Sequence, residues 1–155
     1  MPEDRTAGRE FVNRRARHDY HIDTRYDAGM VLHGWEVKAL RAGRANLTHA
    51  YVHVAQSEVW LIGLSIQPLP NTADRDNLEP DRTRKLLLNR REIAQLMAHT
   101  TIRGKTCVPL RLHWKNNLAK CEIALARGKH QRDKREDVKR REWQRARGRI
   151  LRSRD

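Results

Sequence analysis

The sequence predicts a mainly β protein: a small closed antiparallel β-barrel with one or two short flanking helices, followed by a basic tail. Three observations carry this. Apolar and polar residues alternate in several short runs between Tyr20 and Leu125, turn-forming residues separate those runs, and after Gly128 the alternation gives way to charge. Several short strands in so few residues fit a barrel better than a sandwich. At 155 residues the chain is most simply one domain with length left for a tail. The expected division is a flexible leader at 1–12, the barrel at 13–127 and the tail at 128–155.

The leader "MPEDRTAGREFV" has no period. In the next segment Tyr20 and Ile22 alternate with polar neighbours, as do Met30 and Leu32, which predicts strands on either side of Asp27–Ala28–Gly29. "AYVHVAQSEVWLIGLSI" reads as a hairpin. Val52 and Val54 share a face, Gln56–Ser57–Glu58 turns the chain, and the β-branched and aromatic run from Val59 to Ile66 returns, ending at Pro68 and Pro70. "NTADRDNLEPDR" is an exposed polar loop.

Asn89 and Glu92 have capping-box spacing, so a helix starts at Arg90 and runs to about His99 with Ile93, Leu96 and Met97 inward. "TCVPLRLHWKNNLAKCEIALARG" is the clearest hairpin. Val108, Leu110, Leu112 and Trp114 alternate with Pro109, Arg111 and His113, and Cys121, Ile123 and Leu125 return after Lys115–Asn116–Asn117. Pro109 inside the first strand marks an edge or a bulge.

The tail favours helix by residue type and places Trp143, Ala146 and Ile150 on one side. Its apolar area is too small to dock on the barrel. A helix of this composition is marginal alone in water, so the free tail is expected to be disordered and to fold on a partner.

Thirty-three Lys and Arg against nineteen Asp and Glu give a net charge of +14 and a pI near 10.8, which point to a polyanionic partner. The charge is uneven. Residues 127–155 hold thirteen Lys or Arg against five Asp or Glu, a net of +8 that leaves +6 for the first 126 residues. No apolar run is long enough for a membrane span and no hydrophobic signal region opens the chain, so a cytoplasmic protein is expected. Cys107 and Cys121 fit as reduced core thiols, because two cysteines form neither a disulfide framework nor a zinc site.

Chemistry is sparse. The sequence has no HExxH, no phosphate-cradling glycine loop, no GxSxG and no paired-cysteine metal spacing, so no catalytic group, metal or cofactor is expected. His18 with His21 among Arg14, Arg15 and Arg17 is the best candidate for a ribonuclease site, but a histidine among arginines more often stacks or binds phosphate. The clusters "NRRARH", "RTRK", "NRR" and "RGKHQR" could be ordinary solvated charge one by one. Taken together, and interleaved with Tyr20 and Tyr26, they suit RNA, where guanidinium groups meet phosphates and rings stack on unpaired bases. In the tail, Trp143, Ile150 and Leu151 add nothing to a merely solubilising end. A structured RNA, which offers both stacking and a groove, accounts for these three residues and for the charge around them, and a basic amphipathic membrane helix is the competing reading.

Five segments in order, "NRRARHDYHI", "AGMVLHGWEVKALRAGRANL", "RTRKLLLNRREI", "LHWKNNLAKCEIALARGK" and "DKREDVKRREWQRAR", resemble the small protein B family, also called SsrA-binding proteins, over residues 13–151. The resemblance implies an oligonucleotide-binding-type barrel with a basic tail, acting as a monomer without enzymatic activity. Its partners would be the transfer-RNA-like domain of transfer-messenger RNA and a stalled ribosome. Elongation factor Tu and alanyl-tRNA synthetase would be met through the RNA. The tail would lie in the vacant message channel along small-subunit ribosomal RNA.

Carried over by position, the RNA-contacting face would use Asn13, Arg14, Arg15, His18, Asp27, Leu87, Lys120 and Lys129. The decoding-site group would be Gly128, Asp133, Lys134 and Arg135, and the tail helix would use Val138, Lys139, Arg140, Trp143, Ile150 and Leu151. The chain departs from many members of the family at His130, Arg132, Asn89 and Asp27. A structural ribosomal protein, or another basic RNA-binding translation factor, is the alternative.

Overall fold

A computed structural model describes residues 10–72, 78–129 and 131–152, and within the last segment the side chains at positions 135 and 138–148. The elements follow in the order β1 (Phe11–Val12), α1 (Arg14–Asp19), β2 (Tyr20–Met30), α2 (Gly34–Arg41), β3 (Ala45–Asn46), β4 (Tyr51–Ala55), β5 (Glu58–Ile62), β6 (Ser65–Ile66) and β7 (Arg84–Leu87). Then come α3 (Arg90–Thr100), β8 (Lys105–Lys115), β9 (Leu118–Gly128) and α4 (Gln131–Arg152). Seven strands form one antiparallel sheet in the order β1-β8-β9-β2-β7-β5-β4, and β3 pairs with β6 separately.

The sheet is open. Strand β4 packs near β8, but the terminal strands β1 and β4 are not hydrogen-bonded to each other among the described residues, so the expected closed barrel is corrected to a sheet with an unpaired seam. The edge of β8 explains this. Among the described residues only Leu112 and Arg111 pair with Phe11 and Val12, and Pro109 lacks the N–H that a continuous ladder requires. Through that pairing Phe11 and Val12 belong to the sheet. Residues 1–9 lie outside the described residues, as do 73–77 of the polar loop.

Both hairpins turn on two residues with positive φ: Gln56 (52°) and Ser57 (60°), then Asn116 (51°) and Asn117 (64°). That is the turn geometry matching the right-handed twist of the strands. The return run of the first hairpin breaks at Gly63, whose φ is +83° and where a Cβ would lie 2.6 Å from the His49 carbonyl. Beyond it, Ser65–Ile66 joins β3 instead.

Asp27–Ala28–Gly29 does not separate two strands but lies near the end of the single 11-residue β2. Gly29 faces Leu87 across β7, where a Cβ would stand 3.3 Å from the Leu87 Cβ, so this glycine marks a close approach of two strands rather than a bend. Strand β2 bulges between Ile22 and Arg25 and carries β9 on one edge and β7 on the other.

The expected bulge at Pro109 is present between Pro109 and Arg111, and it reverses the phase of β8. Leu112 and Trp114 face the main core, whereas Val108 and Leu110 join Ala124 and Ala126 in a second cluster beneath α1. The four residues read as sharing a face are therefore split between two. Cys107 and Cys121 are free and buried, with burial pushing the Cys107 thiol up to about 12.

Helix α3 starts where the capping box places it. Asn89 Oδ1 accepts from the Glu92 N–H at 2.8 Å, and Glu92 Oε1 accepts from the Asn89 N–H at 3.2 Å. Leu96 is buried, Ile93 packs against the core, and Met97, expected inward, is exposed. Helices α1 and α2 occupy spans for which no individual element was expected. Helix α2 is fixed by Glu36, whose carboxylate accepts from the His33 N–H at 2.8 Å and from Arg82 and Arg84 at 2.5 and 2.6 Å.

Candidate nucleic-acid interface

Strand register sorts the site. Ala28, Cys121 and Leu112 are cross-strand partners pointing into the main core. Their neighbours therefore face outward. Leu87, Gly29, Lys120 and His113 form one row across β7, β2, β9 and β8, and Asp27, Glu122 and Arg111 form the next. Farther along the same face, α1 lies on the cluster made by Val108, Leu110, Ala124 and Ala126.

The structure thus brings Asp27, Leu87 and Lys120 together at one end of the outer face. Leu87 is 52% exposed despite being a large apolar side chain. Asp27 Oδ1 lies 2.6 Å from His113 Nε2. Leu87 and Lys120 border a hollow of about 320 Å³ walled by Met30, Leu32 and Trp114, and the Arg41 guanidinium sits 4.5 Å above the Trp114 ring.

At the other end are Arg14, Arg15 and His18, all exposed on α1. Lys129 ties the end of β9 to this helix, its N–H donating to the Asp19 carbonyl at 2.9 Å and its Nζ to the Arg17 carbonyl at 3.1 Å. His18 Nδ1 pairs with Asp19 at 3.0 Å. Asn13 differs from the rest of the set. It is 7% exposed, and its Nδ2 donates to the Pro109 carbonyl at 3.0 Å, so it fastens α1 to β8.

Between the two ends runs a cleft of about 550 Å³ lined by Arg14, Arg17, Arg25, Arg111, Glu10 and Glu122, with Arg141 of α4 at its margin. Arg111 bonds Glu10 and Glu122, both at 2.7 Å, and Glu122 also meets Arg25 at 3.3 Å. Those hydrogen bonds push the Arg111 guanidinium upward. Burial would raise the Glu122 carboxyl, but Arg111 and Arg25 outweigh it and hold it below the usual carboxylate range. Arg25 and Arg111 are absent from the residues picked out by sequence. Their signal was the polar phase of two alternating strands, hidden at Arg111 by the bulge.

The "RTRK" cluster is largely structural. Arg84 is fully buried against Glu36 and also donates to the carbonyls of Leu64, Arg82 and Pro80, while Lys85 pairs with Glu58 at 3.4 Å. It adds little free charge to the outer face.

In the tail, Gly128 closes β9 opposite Tyr20, and α4 carries Arg135, Val138, Lys139, Arg140 and Trp143 at exposed positions. The Trp143 ring is 65% exposed. Asp133, Lys134, Ile150 and Leu151 lie within the helical span, but their side chains are outside the described residues. No described helix is long and apolar enough to cross a membrane.

An antiparallel sheet with a cationic outer face, extended by a highly charged helix with an uncovered tryptophan, defines a nucleic-acid-binding protein. The chain belongs to the SmpB protein family, whose model it matches over residues 10–153. It is 52% identical over 142 residues to the SsrA-binding protein of Coxiella burnetii (strain Dugway 5J108-111), covering 92% of this chain and 89% of that one. It is 51% identical over 141 residues to the SsrA-binding protein of Chromohalobacter salexigens, covering 91% and 90%. A solved chain from "tmRNA-SmpB: a journey to the center of the bacterial ribosome" superposes with a TM-score of 0.65 at 39% identity, covering 83% of this chain and 94% of that one.

Proposed function

We propose that this chain is an RNA-binding factor of ribosome rescue. It binds the transfer-RNA-like domain of transfer-messenger RNA and brings it to the acceptor site of ribosomes stalled on a message without a usable stop codon. The observation that carries the reading is the placement of Asp27, Leu87 and Lys120 at one end, and of Arg14, Arg15 and His18 at the other, of a single sheet face in a chain of the SmpB family. Arginines supply phosphate contacts, and an acidic group in such a face accepts from base amino groups or 2′-hydroxyls.

The body is read as an oligonucleotide-binding-type fold with its seam open between β4 and β8. The tail works separately. Gly128, Asp133, Lys134 and Arg135 meet the decoding site, and Val138, Lys139, Arg140, Trp143, Ile150 and Leu151 face small-subunit ribosomal RNA along the vacant message channel. The free tail samples disordered states, and its helix is stabilised by that RNA. The protein acts in the cytoplasm as a monomer, forms no covalent intermediate, and meets elongation factor Tu and alanyl-tRNA synthetase through its RNA.

The test is recovery of RNA with the tagged protein from cells. One small stable RNA with a transfer-RNA-like end is the expected ligand. Stoichiometric co-sedimentation with all ribosomes would instead identify a structural ribosomal protein.

A further inference from the structure

We propose that the chain holds a single unstacked nucleotide in a pocket on the far flank of α1, at the open seam of the sheet, and that this pocket selects bases carrying an exocyclic amino group. The inference rests on the RNA-binding reading and extends it to a contact beyond the outer face.

The pocket has a volume of about 220 Å³ and lies between α1 and the turn leading into β4. That is room for one base ring and not for a duplex. Its walls bring together Asn13, Asp19, Tyr20, His49 and Tyr51, with Arg15 at the rim.

Three features point to its occupant. The first is an orphaned acceptor: Asn13 is 7% exposed and its Nδ2 is committed to the Pro109 carbonyl. Its Oδ1 is the one buried side-chain oxygen without a hydrogen-bond partner among the described residues. A buried acceptor left unpaired is costly, and a ligand N–H relieves that cost. The second is the neighbouring Asp19 carboxylate, whose Oδ1 already meets His18 at 3.0 Å and whose negative charge beside Asn13 disfavours a phosphate at this spot. The group that enters is therefore a donor, and the amino groups of cytosine, adenine and guanine are donors, whereas uracil presents a carbonyl in the corresponding place.

The third is the ring at the mouth. Tyr51 opens β4, the terminal strand of the sheet, and is 53% exposed, so its face is free to stack on a base. Arg15, also exposed, is placed to meet the phosphate outside.

The test compares binding of single-stranded hexamers of cytidylate and of uridylate, which share ring size and charge and differ at the amino group. Wild-type protein is expected to bind the cytidylate hexamer about tenfold more tightly, within the range for one well-placed base contact. Tyr51→Ala is expected to weaken cytidylate binding about tenfold, the size of one lost stacking contact, while Tyr51→Phe keeps both affinity and preference. A far-UV spectrum and melting curve check that each variant is folded.

Equal affinity of the wild type for the two hexamers, or undiminished cytidylate affinity in folded Tyr51→Ala, would overturn the pocket. Loss of the pocket with intact binding of the transfer-RNA-like RNA leaves the proposed function standing. A hexamer preference without selective binding of that RNA would instead remove the proposed function and keep the pocket.

Discussion

The Nε of Arg84 donates to Oε2 of Glu36 at 2.6 Å, with both side chains at 0% exposure. The pair joins α2 to β7, and the remaining guanidinium donors hold the carbonyls of Leu64, Arg82 and Pro80. Removing one partner leaves the other charged and buried. Arg84→Met is therefore expected to cost about 3–5 kcal/mol, read from urea unfolding. Glu36→Gln is expected to do the same and also to change the acid response. Burial alone would raise the Glu36 carboxyl, but the bonds from His33, Arg82 and Arg84 hold it below its ordinary value. The stability it contributes is complete above the unfolded carboxylate value of about 4.3 and is lost as pH falls through the folded one. Wild-type unfolding free energy is thus expected to drop below that pH, and Glu36→Gln to show a shallower drop from a lower start.

A second prediction concerns the first hairpin turn. Ser57 sits at φ 60°, a conformation in which an ordinary L-residue pays for its Cβ. Ser57→Gly is expected to stabilise the protein by about 1 kcal/mol, raising the urea midpoint without changing the slope. An unchanged or lower midpoint would show that the Ser57 side chain contributes something the backbone geometry does not reveal.

Much of this fold is legible in the sequence where a local rule fixes the outcome. Asn89 and Glu92 announce the start of α3 because a capping box needs only two residues three apart, and Asn116–Asn117 announces the second hairpin because asparagine tolerates positive φ. The errors fall where distant contacts decide. Asp27–Ala28–Gly29 looks like a break between strands, yet Gly29 lies within β2 with Leu87 pressing on it. Arg84 looks like solvated charge until Glu36, 48 positions away, is found beside it. One extra residue at the Pro109 bulge sends Val108 and Leu110 to the opposite face from Leu112. Helix α1 spans only six residues, four of them Arg or His, which leaves no apolar period to read. The candidate interface follows from family segments at Asp27, Leu87 and Lys120, whereas Arg25 and Arg111 emerge only from strand register.

The cleft between the two ends of the outer face separates paired from free charge. Arg111 and Arg25 are engaged by Glu10 and Glu122, while the side chains of Arg14 and Arg17 have no partner among the described residues. Replacing Arg14 and Arg17 by alanine is expected to lower the magnitude of the log-log salt slope of RNA binding by about 1–2 units. The slope should remain unaltered in Lys85→Ala, whose charge is spent on Glu58. Titrations at four salt concentrations decide between these outcomes.

The central claim is a division of labour in which the sheet binds RNA and the tail acts on the ribosome. Lys129 marks the boundary, because its backbone and its Nζ both hold α1, so a clean cut falls after Lys129 and leaves β9 whole. Trp143, being 65% exposed, offers a milder variant: Trp143→Ala is expected to change folding stability by no more than about 0.5 kcal/mol. The direct measurement is peptide tagging on a message lacking a stop codon, with full-length protein, the chain ending at Lys129 and Trp143→Ala, each saturated with transfer-messenger RNA. The account predicts that the truncated chain keeps its RNA and gives no tagged product, and that Trp143→Ala tags poorly. Full tagging by the chain ending at Lys129 would contradict it.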